Sequence, residues 1–289
     1  ANGIMTSDWY DLTVTTPSNN VATGTHADAL YTSENGSKGT GWVYTENPSE
    51  SDSYWYYLVS FTDNNGTIRN LPFNSQSGDS NWRAKVIKSK TYIFNEKGEM
   101  QDGLVKLGID ADSPNNLVYA NGKLVGDTKG GAISKPLPNG VYYFNENDGS
   151  VKGQMVTGKT TVTKDGEDYY YFDKTTGRAI NNEVKDGVVY GPDAERIDAE
   201  DGNNNWIYDV TEDITYNKSK ATADDTATGT KVIKAGSRII VSASGKLRTS
   251  GTVKVDGVKY KVVPASNYVD NASTPADETV WTVVQVDED

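Results

Sequence analysis

Side chains that could catalyse a reaction are sparse in this chain of 289 residues. It contains one histidine, His26, and no cysteine, which excludes a Cys–His pair and all thiol chemistry. His26 lies among small polar residues and is interpreted as an exposed loop histidine, because a catalytic or metal-binding role needs partners that the sequence does not supply. The sequence also contains no phosphate loop, no dinucleotide-binding fingerprint and no paired-histidine metal motif.

Carboxylates are abundant, so the sequence alone does not exclude a catalytic pair of carboxylates such as glycosidases use. Most of them occur in turn contexts such as Asn147-Asp148-Gly149, where a solvated turn explains them without any catalytic role. The sequence therefore predicts that the chain is not an enzyme and that it needs no cofactor.

One acidic loop has the ligand spacing of a calcium site. Its oxygen-bearing side chains follow the 1, 3, 5, 9, 12 spacing of a calcium loop: Asp201, Asn203, Asn205, Asp209 and Glu212. Trp206 occupies the position that needs glycine, and no helices are predicted on either side. The favoured alternative is a polar loop that precedes a strand at Trp206-Ile207-Tyr208.

Aromatic residues offer a different chemistry, the stacking of rings on a ligand. The chain has 18 tyrosines and 6 tryptophans, concentrated in short runs. A tyrosine or tryptophan face, together with hydrogen bonds from Asn and Asp, can hold a pyranose ring. The candidate ligand-binding residues are Trp42, Trp55, Tyr57, Tyr142, Tyr143, Tyr170 and Tyr171.

Packing is the alternative role for these rings. Alternation along a strand puts Tyr142 and Phe144 on one face and Val141 and Tyr143 on the other. The sequence favours a structural role for most of the tyrosines and leaves a minority as a ligand platform. For the tryptophans of the N-terminal unit, a platform and a core position are equally open.

The elements that position these rings are predicted to be β-hairpins. The stretch from Val141 to Asn182 holds two copies of an aromatic strand, an Asn/Asp/Gly turn and a short apolar return strand. A count of 28 valines against 10 leucines favours strands, and no window shows sustained helical spacing of apolar residues. Weaker copies begin at Trp55, Tyr92, Leu117 and Ile239.

This pattern resembles the cell-wall-binding repeat family of Gram-positive surface proteins, which includes choline-binding and glucan-binding repeats. The family unit reads roughly Thr-Gly-Trp, a spacer, Trp-Tyr-Tyr-Phe, Asp and then Gly-x-Met. Thr40-Gly41-Trp42 followed by Trp55-Tyr56-Tyr57 matches it best, and the resemblance covers residues 40 to 190 with a further stretch at 231 to 263. It implies an all-β fold of tandem β-hairpin repeats, solenoid-like and elongated, with a small C-terminal β domain.

In choline-binding members of that family, tryptophans and tyrosines of neighbouring hairpins form a cage around a quaternary ammonium group. Leu104, Lys159 and Thr252 stand where the repeat has its cage tryptophan. The sequence therefore predicts that choline binds weakly or not at all. Binding of a sugar is less affected by the loss of these tryptophans, because it needs only a tyrosine face and hydrogen bonds.

Three regions are predicted. Residues 1–39 form an N-terminal β or irregular segment, residues 40–205 form the hairpin repeats, and residues 206–289 form a C-terminal β region with a degenerate repeat. Aromatic residues are expected to build the core more than aliphatic ones.

Charge and hydropathy argue against nucleic acid as a partner and against insertion into a membrane. A net charge of −12 leaves no basic stripe for nucleic acid, and no apolar run approaches the roughly 20 residues of a spanning helix. The expected protein is a non-catalytic, secreted or cell-wall-associated binder of cell-wall polymer or glycan. The alternatives are a structural spacer or interaction protein whose repeats have lost ligand binding, and the accessory region of a larger secreted enzyme.

Overall fold

The computed structural model describes residues 9–11, 29–31, 39–47, 52–62, 68–74, 82–107, 137–163, 167–199, 203–216, 231–264 and 281–285. Within these ranges all regular structure is β, so the predicted all-β fold of short hairpins is confirmed. The strands are β1 (Trp9–Asp11), β2 (Ala29–Tyr31), β3 (Gly41–Glu46), β4 (Ser53–Thr62), β5 (Ile68–Pro72), β6 (Arg83–Ile87), β7 (Lys90–Phe94), β8 (Met100–Gln101), β9 (Gly103–Leu107), β10 (Gly140–Phe144), β11 (Gly158–Thr163), β12 (Glu167–Phe172), β13 (Glu183–Lys185), β14 (Val188–Tyr190), β15 (Asn205–Asp209), β16 (Ile214–Tyr216), β17 (Lys231–Ile233), β18 (Arg238–Ser242), β19 (Gly251–Val255), β20 (Val258–Pro264) and β21 (Trp281–Gln285).

The strands pair in sheets of two to four, most often with a neighbour in sequence. Among the described pairs only β13 and β16 run parallel, and the others are antiparallel. His26 and the weak copy at residues 117–124 lie outside the described residues. Across the described ranges, no helix is long and apolar enough to cross a membrane.

Five hairpins share one turn geometry, which is the structural form of the repeat. The last residue of the strand, or in β18 the last but one, pairs with the first residue of a short return segment: Phe94 with Met100, Phe144 with Met155, Phe172 with Ala179, Tyr190 with Arg196 and Val241 with Leu247. Two residues before each return partner the backbone has a positive φ: Gly98 (83°), Gly153 (72°), Gly177 (71°), Ala194 (67°) and Gly245 (73°). Glycine predominates there because a left-handed backbone disfavours any side chain.

A side-chain oxygen at the start of the turn explains why these residues leave the strand. Asn95 Oδ1 accepts hydrogen bonds from the backbone N–H groups of Lys97 and Glu99, at 3.0 and 2.9 Å. In the next copy, Asn145 Oδ1 accepts from the N–H of Asn147 at 2.8 Å. Such local bonds satisfy donors that the strand ladder no longer pairs, so an Asn directly after the strand specifies the turn.

The copy that ends at Tyr190 was not predicted from the sequence. Gly191 stands where the other turns have Asn, Asp or Ser, so the side-chain signal is missing. The backbone pattern is nevertheless the same, since the Gly191 N–H donates to Glu195 O at 2.9 Å and the Ala194 N–H donates to Gly191 O at 3.1 Å.

Contacts divide the chain into two compact units, Ala1–Thr157 with Lys174–Arg178, and Gly158–Asp173 with Ala179–Asp289. The three-region division expected from the sequence stays a prediction. Strand β15 spans the boundary expected at residue 205, and it pairs with β18 in the second unit.

The two units have cores of different composition. In the first unit the fully buried large side chains are mainly aromatic and include Phe73, Phe94, Tyr142 and Phe144. The expectation of an aromatic core is wrong for the largest cluster of the second unit, because short paired strands there supply β-branched side chains that pack well on a pleated surface. Its buried members are Val184, Val189, Val210, Ile214, Ile233, Ile239, Ile240, Val241, Val255 and Val262.

Candidate functional site

Strands β3 and β4 bring four aromatic rings onto one face of the first unit. Trp42 lies opposite Tyr57, and Tyr44 lies opposite Trp55. Directly opposed residues share a face in an antiparallel pair, so these four residues form one row, here called the aromatic ladder. Ring centroids are 5.2 Å apart for Trp42 and Tyr57, 6.2 Å for Trp42 and Trp55, and 5.2 Å for Tyr44 and Trp55.

The inner end of the ladder is part of the core. The Trp42 ring lies 4.8 Å from the Tyr92 ring and 5.9 Å from the Phe94 ring, measured between centroids. Trp42, Trp55 and Tyr57 all pack, half-buried, against the buried cluster to which Tyr92 and Phe94 belong. Trp42 and Tyr57 therefore serve the fold, and Trp55 connects this inner end with the outer end of the ladder.

The outer end of the ladder faces solvent. Tyr44 is 58% exposed, and it is the most exposed of the large hydrophobic residues that the structure describes. Its ring is tilted by 42° from that of the half-buried Trp55. The sequence analysis did not include Tyr44 among the candidate ligand-binding residues, although the two-residue period of a strand places it on the same face as Trp42.

The first unit also supplies a cation to its own aromatic cluster. Lys85 is only 5% exposed, and its Nζ lies 4.7 Å from the centroid of the Phe73 ring and 5.8 Å from that of the Tyr57 ring. An ammonium over ring faces is the interaction that a quaternary ammonium ligand would make. This contact therefore supports the expectation that choline is not a ligand of this cluster.

Tyr142 and Tyr143 lie on β10, in a different hairpin from the ladder. Tyr142 is fully buried, and its Oη donates to the Pro138 carbonyl at 2.7 Å. Burial raises the pKa of Tyr142 to about 12 against the opposing effect of the Arg178 charge. Tyr143 is half-buried and donates to Glu146 Oε2 at 2.9 Å; burial first, and then this carboxylate, raise its pKa to about 12.

Tyr170 and Tyr171 lie on β12 of the second unit. Tyr170 is 2% exposed and its Oη donates to Glu195 Oε1 at 3.0 Å; burial, and then this carboxylate, raise the pKa of the phenol. Tyr171 is buried with its ring 6.3 Å from that of Tyr190, and the Lys185 Nζ lies 5.6 Å from the Tyr171 centroid. These contacts support the packing role for both residues, and a ligand role stays a prediction.

Three of the candidate calcium ligands are bonded to other side chains. Asn203 is exposed, and Asp201 lies outside the described residues. Asn205, Asp209 and Glu212 each accept a hydrogen bond from another side chain, respectively Arg248 Nε (3.1 Å), Arg238 Nε (2.9 Å) and Asn182 Nδ2 (2.6 Å). No group of three or more His, Asp or Glu residues within the described part of the chain is placed to hold a metal ion. The polar loop that the sequence favours over a calcium site stays a prediction.

Solved structures similar to this chain include three proteins of Streptococcus pneumoniae, one of which is a choline-binding protein. Choline-binding protein F of Streptococcus pneumoniae is 21% identical over 68% of this chain and 42% of its own, with a TM-score of 0.36. The modular autolysin LytC of the same organism is 15% identical over 88% of this chain and 46% of its own, with a TM-score of 0.23. CbpJ, also of Streptococcus pneumoniae, is 19% identical over 88% of this chain and 85% of its own, with a TM-score of 0.22.

This chain therefore spans less than half the length of the first two proteins. No protein-family model matches the chain, and no curated protein does.

Proposed function

We propose that this chain is a non-catalytic module that binds cell-wall polymer or glycan outside the cell, as a secreted or wall-associated protein. The observation that supports this function is the aromatic ladder, whose inner end is fixed in the core while its outer end presents Tyr44 and Trp55.

The outer end suits the face of a sugar ring. The C–H faces of a pyranose are apolar, so they gain by contact with an exposed aromatic face, while its hydroxyl groups need hydrogen-bonding partners at the edge. Glu46 and Ser53 form the next opposed pair along the same face, and both are exposed. A stacking surface bordered by a carboxylate and a hydroxyl group therefore lies at this end.

Rigidity is the second advantage of the ladder. Trp55 is held between Tyr44 and Trp42, and Trp42 is held in turn by Tyr92 and Phe94. A ring that is already oriented loses little conformational entropy when a ligand stacks on it. The packed inner end thus prepares the outer end for binding.

Retention on purified Gram-positive cell walls and on glucans tests this function. We expect Tyr44→Ala to abolish retention and to change the free energy of unfolding by less than about 0.5 kcal/mol, because the side chain is mostly exposed. Trp42→Ala should instead cost about 3–5 kcal/mol of stability, since it empties part of the core.

Trp206→Ala is the matched control. Trp206 is also an exposed aromatic residue, 36% exposed, and its ring lies 5.6 Å from that of Tyr208. Retention of this variant should equal that of the unmodified chain. Equal losses in the Trp206 and Tyr44 variants would show unspecific adhesion of aromatic surface and would contradict the proposal.

A structural spacer is the second candidate function. The burial of Tyr142, Tyr170 and Tyr171, with phenol oxygens of the first two bonded inside the protein, is the observation that favours it. If the unmodified chain is retained on neither cell walls nor glucans, the spacer is the function that remains.

A further inference from the structure

A second site of opposite chemistry lies within the second unit. A groove of about 310 Å³ runs between the β11–β12 hairpin, strand β14 and the turn after β18. Three of the side chains that line it are basic, and none is acidic. We call it the basic groove; its principal residues are Lys159, Thr161, Tyr169, Tyr190, Arg196 and Lys246.

The lining is basic although the net charge of the chain is −12. Two carboxylates border it and are already bonded, Glu195 to the Tyr170 hydroxyl group and Asp198 to Arg196. Lys159 and Lys246 are exposed, and within the described residues neither forms an ion pair. Two ammonium groups that share one groove and form no ion pair within the described residues are free to attract an external anion.

Arg196 is fixed at the wall of the groove. Its guanidinium group lies 3.6 Å from the centroid of the Tyr169 ring, and its Nε donates to Asp198 Oδ2 at 2.7 Å. The same carboxylate oxygen accepts from a second guanidinium nitrogen, so Asp198 occupies one edge of the group. Arg196 therefore adds an oriented, partly compensated charge, and the lysines supply the uncompensated ones.

The shared turn brings the third cation to this place. Gly245 has a φ of 73°, and a Cβ atom there would lie 2.5 Å from Arg196 Cγ. Only a glycine lets the turn approach Arg196 so closely, and Lys246 follows it directly in the chain. The convergence of Arg196 and Lys246 thus results from the stacking of the hairpin that ends at Val241 on the hairpin that ends at Tyr190.

We propose that the basic groove binds an anionic oxygen group, a phosphate ester or a carboxylate, carried by a sugar or a polyol. The two lysines act as point charges toward the anion, as ammonium groups do toward phosphate and carboxylate. The Thr161 hydroxyl group and the ring of Tyr169 border the same groove and can contact the uncharged remainder of the ligand. This site is separate from the aromatic ladder, which is suited to the neutral face of a sugar.

Nuclear magnetic resonance titration of the full chain tests the groove. The probes are glycerol 3-phosphate, glucuronate and, as the neutral control, glucose. We expect at least one of the two anions to shift the resonances of residues around Lys159 and Lys246 saturably, with an affinity that falls as salt is added. Phosphate and carboxylate are distinguished by which probe binds.

Charge-removing variants supply the decisive comparison. Lys159→Gln and Lys246→Gln should each weaken binding of the anion about tenfold, the effect of one lost charge-assisted hydrogen bond. Lys261→Gln, which changes an exposed lysine of β20 in the same unit, should leave the affinity unchanged. Unchanged thermal unfolding of all three variants would show that the fold is intact.

Two results would overturn the site. One is the absence of saturable shifts with either anion, and the other is an equal loss of affinity in the Lys261→Gln control, which would indicate only general attraction by surface charge. Neither result bears on the ladder, because Tyr44→Ala leaves the groove intact and the lysine variants leave the ladder intact.

Discussion

Burial raises the pKa of several tyrosines that the structure describes. Tyr142, Tyr143 and Tyr190 have their pKa raised to about 12, and in all three the first cause is the loss of solvation of the charged phenolate. The folded state therefore favours the neutral phenol over the phenolate. The contribution of these neutral phenols to the free energy of unfolding is complete below the ordinary tyrosine pKa near 10, and it is lost as the pH rises toward 12.

An alkaline titration tests this consequence. Absorbance of phenolate should show a group of tyrosines that ionises with a midpoint near 12, and the free energy of unfolding should fall between pH 10 and 12. Tyr142→Phe removes one ionising group and keeps the ring, so its stability should fall less over this interval. It should also be about 1 kcal/mol less stable at neutral pH, because the hydrogen bond to Pro138 is gone. An identical alkaline loss in the variant would contradict the assignment to Tyr142.

At the scale of the element, consecutive hairpins are joined by one recurring contact. The side chain at the return position of one copy covers the positive-φ glycine of a later copy. Met100 covers Gly153 and Met155 covers Gly177, and a Cβ atom at Gly177 would lie 2.5 Å from Met155 Sδ. Because Gly153 and Gly177 each receive a side chain from another hairpin, these hairpins stabilise one another, as expected of stacked repeats.

Alanine substitution separates the two reasons for glycine at this position. Gly153 has a φ of 72°, and a Cβ there would penetrate the Met100 side chain; Gly41 has a φ of 73° with nothing within 4 Å. Gly41→Ala should therefore cost only the backbone strain, about 1 kcal/mol. Gly153→Ala should cost about 1–3 kcal/mol more, because Met100 must move out of a packed site. Chemical denaturation measures both, and equal costs would show that the stacking contact contributes nothing.

At the scale of the whole molecule, the aromatic residues that could form a choline cage are dispersed. Only Trp42 completes the Thr-Gly-Trp pattern, and Lys85 already provides an ammonium group to the neighbouring rings. The copies at Leu104 and Lys159 lack a cage tryptophan. Within the described residues, the one hairpin with an intact Thr-Gly-Trp pattern therefore has an ammonium group of the protein against its aromatic cluster.

Calorimetric titration of the full chain with choline tests the prediction that choline binds weakly or not at all. We expect no saturable heat at concentrations up to the millimolar range, which corresponds to about −4 kcal/mol of binding free energy. Cell-wall preparations that bind the chain should do so equally in the presence of free choline. Tight binding at several sites, or release of the chain from cell walls by choline, would contradict the prediction.

The sequence by itself determined the all-β class and the hairpins that end at Phe144 and Phe172. Those features are local, since two-residue alternation and an Asn, Asp or Gly turn act over a few neighbouring positions. The hairpin that ends at Tyr190 was not predicted from the sequence, because Gly191 has no side chain to indicate the turn. The backbone makes the same turn nevertheless.

Only the tertiary structure decided which rings are exposed and which charges meet. Tyr142 and Tyr44 look alike in the sequence, yet one is fully buried and the other is 58% exposed, because burial depends on which hairpin packs against each face. Lys159, Arg196 and Lys246 come from three hairpins far apart in the chain and line one groove. Stacking between hairpins is a long-range property that depends on contacts such as that of Gly245 with Arg196, and no local pattern of residue types encodes which distant side chains it brings together.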